Sequence, residues 1–318
     1  MSRRGIRLAK WFIANMNTTA KTVRLIFNPT AGAIQRAPSL IEQVLAALRT
    51  AGLSAEAQAT TCAGHATELA RQAVAENVDV VLVCGGDGTV NEAAQSLVGT
   101  NTALAIFPGG TANVLVQELR LPRTPEKLAA LIADGNLRTI SVGRAVKPDA
   151  GWQRYFLLMA GIGVDATIVQ SVNPQLKKRA GIGAYLASGL EFLARLPLTP
   201  FSLDFNGKRH ESTFTVISNA ASYAVWFTLA PEAKLDDDQL DVCVFNSRSR
   251  LAYLGYAFLS MLGGQHAHSP GVIYQPADAI KANSNDTALV QLDGEVVGHL
   301  PMRFDIVPQS LRVIAPQP

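Results

Sequence analysis

Cysteine is scarce in this 318-residue chain: Cys62, Cys84 and Cys243 stand far apart, with no C-x-x-C pair. That excludes a disulfide framework and a zinc ribbon, and it fits a reducing cytoplasm. Charge is sparse too. At 17% charged residues and a net +3, with no interleaving of basic and aromatic residues, the chain offers no nucleic-acid face. No window reaches the roughly 18 uninterrupted apolar residues of a membrane-spanning helix. His266 and His268 lack partners at ligand spacing, so no zinc site is expected.

What is present is apolar: 48% hydrophobic residues, enough for two domains with ample core. The most apolar stretch, residues 251–262, reads as a buried helix, with a membrane-contacting surface as the alternative. Arg3, Arg4, Arg7 and Lys10 gather beside Trp11, Phe12 and Ile13. Residues 1–20 therefore read as a flexible extension, one able to touch anionic lipid. They lack the unbroken apolar core and cleavage site of a signal peptide.

Strand and helix patterns alternate up to about residue 140. Thr22–Phe27 reads as a strand, and a turn follows over Asn28–Gly32. Ser39 and Glu42 stand at capping-box spacing ahead of Ile41, Val44, Leu45 and Leu48, which share a helical face. Gly52 ends that helix. A strand over 53–60, a helix over 67–76, strands into Gly85 and Pro108, and a helix opened by Thr124-Pro125 complete the half. Such alternation implies a mostly parallel sheet covered on both faces, with ligands beyond the C-terminal strand ends. After residue 140 the pattern changes to short strands: 154–159, 201–205, 213–218, 240–245 and 290–297. One helical pattern, 184–196, interrupts them.

The most informative string is Cys84-Gly85-Gly86-Asp87-Gly88-Thr89-Val90-Asn91-Glu92, directly after the β-branched run 78–83. Its glycines let the backbone turn sharply and approach a ligand closely. Thr89 and Glu92 stand at S/T-x-x-E spacing, so a helix is expected to open there. Strand, glycine turn and helix start together suit a phosphate. No Gly-Lys-Ser/Thr follows, so this is not a Walker A loop, and it is not G-x-G-x-x-G. A bare Asp87 would repel phosphate; it suits a metal ion or a reacting hydroxyl. Asp293-Gly294, flanked by apolar residues, is by itself a hairpin signal.

Gly85–Glu92 resembles the GGDGT-x-NE motif of the diacylglycerol kinase catalytic-domain family, which includes bacterial lipid kinases, sphingosine kinases and ceramide kinases. Three further motifs resemble that family in its order. They are Asn28-Pro29-Thr30-Ala31-Gly32, Pro108-Gly109-Gly110-Thr111-Ala112-Asn113 and Leu292-Asp293-Gly294-Glu295. The resemblance implies an α/β nucleotide-binding domain like that of NAD kinases and phosphofructokinases, over 21–140. A β-rich sandwich would follow over 141–304, with a C-terminal strand, about 305–318, returning to the first domain.

The implied reaction is phosphoryl transfer from Mg·ATP to the hydroxyl of a diacylglycerol-like or sphingoid-like lipid at a membrane surface. The protein would be cytoplasmic, peripheral at the inner face of the membrane, with a homodimer as a possible assembly. Nucleotide contacts would come from Asn28, Gly32, Thr61, His65, Gly85, Gly86, Asp87, Gly88, Thr89, Glu92, Gly110, Thr111 and Asn113. Asp293 would be the general base, held by its turn and aimed into the cleft, with Asp87 its rival and Glu295 in support. Residues 234–241 resemble a D-D-G-x-L-D segment that holds structural Mg²⁺, through Asp237 and Asp241. The chain departs there, with Asp238 in place of glycine and Lys234 in place of an acid. Gly161 and Gly163 match a G-x-G-x-D-A segment, in which they would serve backbone packing. Lys177, Lys178 and Arg179 form a basic run that reads as a solvated face.

Two other classes remain open. A GGDG-type loop also serves kinases of soluble substrates such as NAD⁺; the NPTAG turn and the late LDGE favour the lipid family. A silent nucleotide- or lipid-binding regulator would be expected to lose its acids, and Asp87, Glu92, Asp293 and Glu295 are all retained.

Overall fold

The computed structural model describes residues 20–164, 166, 198–224, 227–247, 249–285 and 287–317. The N-terminal basic cluster, the Lys177–Arg179 run and the helical pattern at 184–196 lie outside them. The first half alternates β1 (Thr22–Phe27), α1 (Gly32–Arg36), α2 (Leu40–Thr50), β2 (Ser54–Ala59), α3 (His65–Ala75), β3 (Val80–Gly85), α4 (Asp87–Leu97), β4 (Ala103–Pro108), α5 (Val114–Glu118) and α6 (Pro125–Ala133). β1 to β4 run parallel in the order β2-β1-β3-β4. β3 is buried along its whole length. Helices cover both faces of these strands, hence the unbroken run of β-branched and apolar side chains. α3, α4 and α5 bury Ala66, Leu69, Val90, Leu97 and Leu115 on one face. α1, α2 and α6 bury Ile34, Val44, Leu48 and Ile132 on the other.

Helix ends follow local chemistry in part. Gly52 takes φ +78°, its N–H reaches the Arg49 carbonyl, and the Leu53 N–H reaches that of Leu48, a Schellman stop. The capping box expected at Ser39 does not form. Ser39 has helical φ/ψ, its side chain caps nothing, and its hydroxyl instead accepts from Gln43 Nε2 at 3.0 Å.

The second half is built from β5 (Leu137–Lys147), β6 (Trp152–Phe156), β7 (Met159–Gly163), β8 (Phe201–Phe205), β9 (Lys208–Ser212), β10 (Phe214–Ser218), β11 (Ser222–Ala224), β12 (Phe227–Thr228), β13 (Leu240–Phe245), α7 (Arg250–Met261), β14 (Val272–Ala277), β15 (Ala279–Asn283), β16 (Leu289–Leu292), β17 (Glu295–His299) and β18 (Met302–Ile314). An antiparallel sheet in the order β14-β13-β10-β7-β16-β17 packs on the sheet that carries β5, β6, β8, β15 and β18. Phe156, Ile162, Phe201, Leu203, Val242, Val290 and Phe304 fill the space between them. Phe156 lies over Gly143, its cross-strand partner, where any Cβ would meet the ring at 2.0 Å. Gly163, at φ +82°, has the Thr213 carbonyl 2.5 Å from where its Cβ would stand, so backbone packing does require this glycine.

β18 joins the halves. It pairs antiparallel with β15 at its start, parallel with β4 near its end, and with β5 along most of its length. One sheet therefore runs through both halves and fixes where the β16–β17 hairpin stands relative to the rim of β1, β3 and β4.

Three expectations are corrected. The strand expected at 154–159 is two strands, broken at Leu157–Leu158, and that expected at 290–297 is the hairpin of β16 and β17. The apolar helix over 251–262 is not buried. Tyr253 and Ser260 face inward, but Leu251, Phe258, Met261 and Leu262 stand exposed at 78%, 62%, 46% and 53%. Among the described residues no helix is long and apolar enough to cross a membrane.

Candidate active site

Loops from β1, β3 and β4 converge on one rim because those strands are neighbours and parallel. The Gly109 N–H donates to the Gly85 carbonyl at 2.8 Å. A Cβ on Gly110 would stand 2.6 Å from Gly86 Cα, and one on Gly109 would stand 2.9 Å from Gly85 Cα. Only glycine permits this backbone-to-backbone approach. The Ala33 N–H donates to the Gly109 carbonyl at 3.1 Å, which ties the first loop to the same rim. Gly88 is different: a Cβ there meets nothing within 4 Å, so its backbone faces open space.

The polar residues of these loops mostly hold the loops. Asn28 Oδ1 accepts from the Thr30 N–H at 2.9 Å and the Thr30 hydroxyl at 2.8 Å, forming an Asx turn. Asn113, at φ +47°, clasps Gly110 by accepting from its N–H at 3.0 Å and donating to its carbonyl at 2.8 Å. The Asp87 carboxylate receives the backbone amides of Leu115, Val114 and Asn113, at the start of α5. Burial pushes the Asp87 carboxyl above its ordinary range while those amides pull it down. Asp87 thus binds the second glycine loop to the third.

The capping box expected at Thr89–Glu92 is also replaced. Gly86 is the N-cap, α4 opens at Asp87, and Thr89 lies inside the first turn. Glu92 reaches α3 instead, where Oε2 accepts from the Ala66 N–H at 3.3 Å. Thr61 and His65 pair with each other, as the Thr61 N–H donates to His65 Nδ1 at 3.1 Å. They sit at the start of α3, beside the rim. Gly32 opens α1, and Thr111 stands exposed in the third loop.

Asp293 is half-buried, and its carboxylate accepts four hydrogen bonds. Oδ1 takes the Leu158 and Met159 N–H groups at 2.9 Å each; Oδ2 takes the Leu157 N–H and Asn91 Nδ2 at 2.7 Å each. The break between β6 and β7 exists because three successive amides turn toward this one side chain. Two carboxylate oxygens offer about four lone-pair sites, and all are in use. Burial pushes the Asp293 carboxyl up, against the pull of its four donors. The expectation of a base aimed into the cleft is therefore corrected: Asp293 locks the β16–β17 turn onto residues 157–159 and onto α4. Glu295 is the more exposed acid of that turn, paired with Arg154 Nη2 at 2.6 Å. The same Nη2 donates to Asn91 Oδ1 at 3.2 Å.

Asn91 and Arg154 were not among the sequence candidates. Asn91 is 2% exposed and connects the GGDG helix to both acids of the DGE turn. Its signal was a polar residue beside the apolar stripe Val90, Ala93, Ala94 and Leu97 of α4. Gln95 extends the link, as Nε2 donates to the Tyr155 carbonyl at 2.9 Å. We expect Asn91→Ala to cost about 2–3 kcal/mol, because Asp293 and the Tyr155 carbonyl each lose a buried partner. A thermal midpoint unchanged from wild type would contradict this.

At the segment resembling a Mg²⁺ site, Asp237 and Asp241 are the two inward carboxylates, and burial pushes both up. Tyr274 bonds Asp241, and Asp237 Oδ1 is buried without a hydrogen-bond partner. Asp236 pairs with Arg138 at 2.6 Å, and Asp238 faces Ser141. The Lys234 charge acts on Asp237 and supplies positive potential of the kind a cation would. Among the described residues no three His, Cys, Asp or Glu side chains converge as ligands. We expect chelation with EDTA to leave the thermal midpoint unchanged; a fall of several degrees, restored by Mg²⁺, would assign a structural ion to Asp237 and Asp241.

Comparison with known proteins supports the same reading. A family profile described as diacylglycerol kinase catalytic domain matches residues 22–145. One described as YegS C-terminal NAD kinase beta sandwich-like domain matches residues 159–315. A diacylglycerol kinase of Bacillus subtilis (strain 168) is 30% identical over 302 residues, covering 93% of this chain and 97% of the relative. One from Staphylococcus carnosus (strain TM300) is 28% identical over 301 residues, covering 93% and 96%. A solved structure of a diacylglycerol kinase from Bacillus anthracis str. Sterne superposes with TM-score 0.71 at 22% identity, covering 94% of this chain and 98% of that one. Another from the same organism reaches TM-score 0.78 at 24% identity, covering 94% and 96%. At those identities the structural likeness speaks for the fold.

Proposed function

We propose, from the premise that this chain belongs to the diacylglycerol kinase catalytic-domain family and is a lipid kinase, that it moves the γ-phosphoryl group of ATP to the hydroxyl of a diacylglycerol-like or sphingoid-like lipid. The observation that carries this reading is the joined rim. Gly85–Gly86 and Gly109–Gly110 pack backbone on backbone, and α4 links that rim through Asn91 to the Asp293–Glu295 turn. Phosphoryl transfer rests on positioning and on neutralising developing charge rather than on covalent work by the protein.

The residues divide accordingly. Gly88, open to solvent at the start of α4, offers backbone to the phosphates, and Thr89 adds a hydroxyl. Asp87 ties the second loop to the third, and Asn113 holds Gly110 in place. Glu295 is the carboxylate that can take the acceptor hydroxyl's proton, since Asp293 has no unused lone pair. Arg154 orients Glu295. Mg²⁺, when bound with ATP, supplies charge neutralisation at the phosphates. The enzyme works in the cytoplasm, at the inner face of the membrane.

The test uses γ-labelled ATP with Mg²⁺ and a panel of micelle-dispersed lipids, resolved by thin-layer chromatography. The panel holds diacylglycerol, monoacylglycerol, phosphatidylglycerol, sphingosine and ceramide, with NAD⁺ in a parallel reaction. We expect a labelled lipid. Label in NADP⁺ alone would overturn the acceptor class, and bound ATP with no transfer to any acceptor would favour a regulator.

A further inference from the structure

Helix α7 is apolar on two faces, and among the described residues only one is covered. Its inner face seats Tyr253 and Tyr256 on Phe245, with ring centroids 6.3 Å and 5.3 Å apart, and Phe214 stacks on Phe245 at 4.8 Å. The Tyr253 hydroxyl bonds that of Thr213. Past the helix end, Gly263 and Gly264 take φ +77° and +83°, and the buried His266 ring stacks on Phe245 at 5.6 Å. The helix is therefore clamped along its inner side and at its end. Its outer side carries Leu251, Phe258, Met261 and Leu262, spaced i, i+7, i+10 and i+11, all exposed. A helix apolar all round is ordinarily buried all round.

Three observations say what covers the outer side. First, the sequence from Val242 to Ala277 contains no Asp or Glu and has Arg248 and Arg250 just ahead of Leu251. An apolar stripe with cationic flanks and no carboxylates suits an anionic lipid surface. Second, the helix connects to the rim through a short chain of packed elements. α7 packs on β12, β12 pairs with β11, and β11 packs on α5, which follows the Gly109–Asn113 loop. The Ser222 N–H donates to Glu118 Oε1 at 2.8 Å at that junction. Third, a stripe of four large side chains is too short and too solvent-facing to span a bilayer but suits shallow burial at its surface. Glu232 borders the far end, after the Pro231 that seats on Gly264.

We propose that the outer face of α7 is the surface by which this protein docks on a bilayer containing anionic lipid. The inference deepens the lipid-kinase reading and rests on it, since it gives that enzyme the contact through which a membrane-held acceptor reaches the rim.

The test is co-sedimentation of the full chain with phosphatidylcholine vesicles, with and without phosphatidylglycerol. Wild type is compared with Phe258→Ser/Leu262→Ser and with Arg250→Glu. Phe258 and Leu262 are exposed, so the thermal midpoint of the double variant should match wild type. We expect the double variant to lose roughly tenfold or more of its partitioning to phosphatidylglycerol vesicles. Arg250→Glu should lose partitioning only where phosphatidylglycerol is present. Transfer to a water-dispersed short-chain acceptor should be unchanged in both. Undiminished vesicle binding by the double variant would overturn the proposal. So would a wild-type dimer that the double variant splits without loss of vesicle binding, which would mean that a second copy covers this face. If no lipid accepts phosphate, the lipid-kinase reading fails while the vesicle result still locates the docking face.

Discussion

Gly110→Ala should reduce kcat/KM for ATP by about a hundredfold or more. The added methyl would stand 2.6 Å from Gly86 Cα, 3.2 Å from Asn113 Oδ1 and 3.4 Å from the Gly86 nitrogen. Two of those atoms are backbone, and neither can retreat without pulling the Gly85–Gly86 turn away from the third loop. A displacement of even 1 Å in a site that works by positioning can cost on the order of a hundredfold in rate. Gly88→Ala is the matched control. Nothing lies within 4 Å of its Cβ, and the position is inside α4, so the fold should be unharmed or slightly stabilised, by up to about 1 kcal/mol. Its effect should fall on ATP affinity alone. Full activity in Gly110→Ala would show that the rim does not hold the nucleotide.

Asp293→Asn should destabilise the protein by roughly 3–5 kcal/mol, in addition to stopping turnover. The substitution turns one acceptor oxygen into a donor that faces two other donors. These are Leu157 N–H with Asn91 Nδ2, or the Leu158 and Met159 N–H groups. Breaking a buried charge network in this way is among the costliest of single changes. Glu295→Gln should differ in kind. Its side chain is 58% exposed and pairs with Arg154 at the surface, so stability should shift by about 1 kcal/mol or less. Its kcat should fall while ATP affinity holds. Calorimetry and steady-state kinetics on the two variants separate the roles. If Asp293→Asn keeps the wild-type midpoint and loses only kcat, Asp293 is the base and its four bonds open during the reaction.

Much of the first half was legible in the sequence because its signals are local. Thr22–Phe27 and the strand into Gly85 show their β-branched runs directly, and Gly52 marks a helix stop that needs only a positive φ. The four glycine and acid motifs locate the rim and the hairpin. What the sequence hid depends on distant partners. The break at Leu157–Leu158 is caused by a carboxylate 135 positions away in the chain. The amide partners of Asp87, Asn113 to Leu115, come from another strand's loop. Ser39 and Thr89 matched capping spacing, yet the chain enters those helices elsewhere. Residues 251–262 are apolar either way; only the packed structure shows that Leu251, Phe258, Met261 and Leu262 stand exposed.

Amide hydrogen exchange with and without a nonhydrolysable Mg·ATP analogue tests the placement of the nucleotide most directly. We expect slowed exchange in the segments around 28–33, 85–90 and 109–114, the three loops joined by the Ala33–Gly109 and Gly109–Gly85 bonds. The segment 236–241 should be unaffected. Slowed exchange confined to the second half, with the glycine rim unchanged, would contradict the site described above.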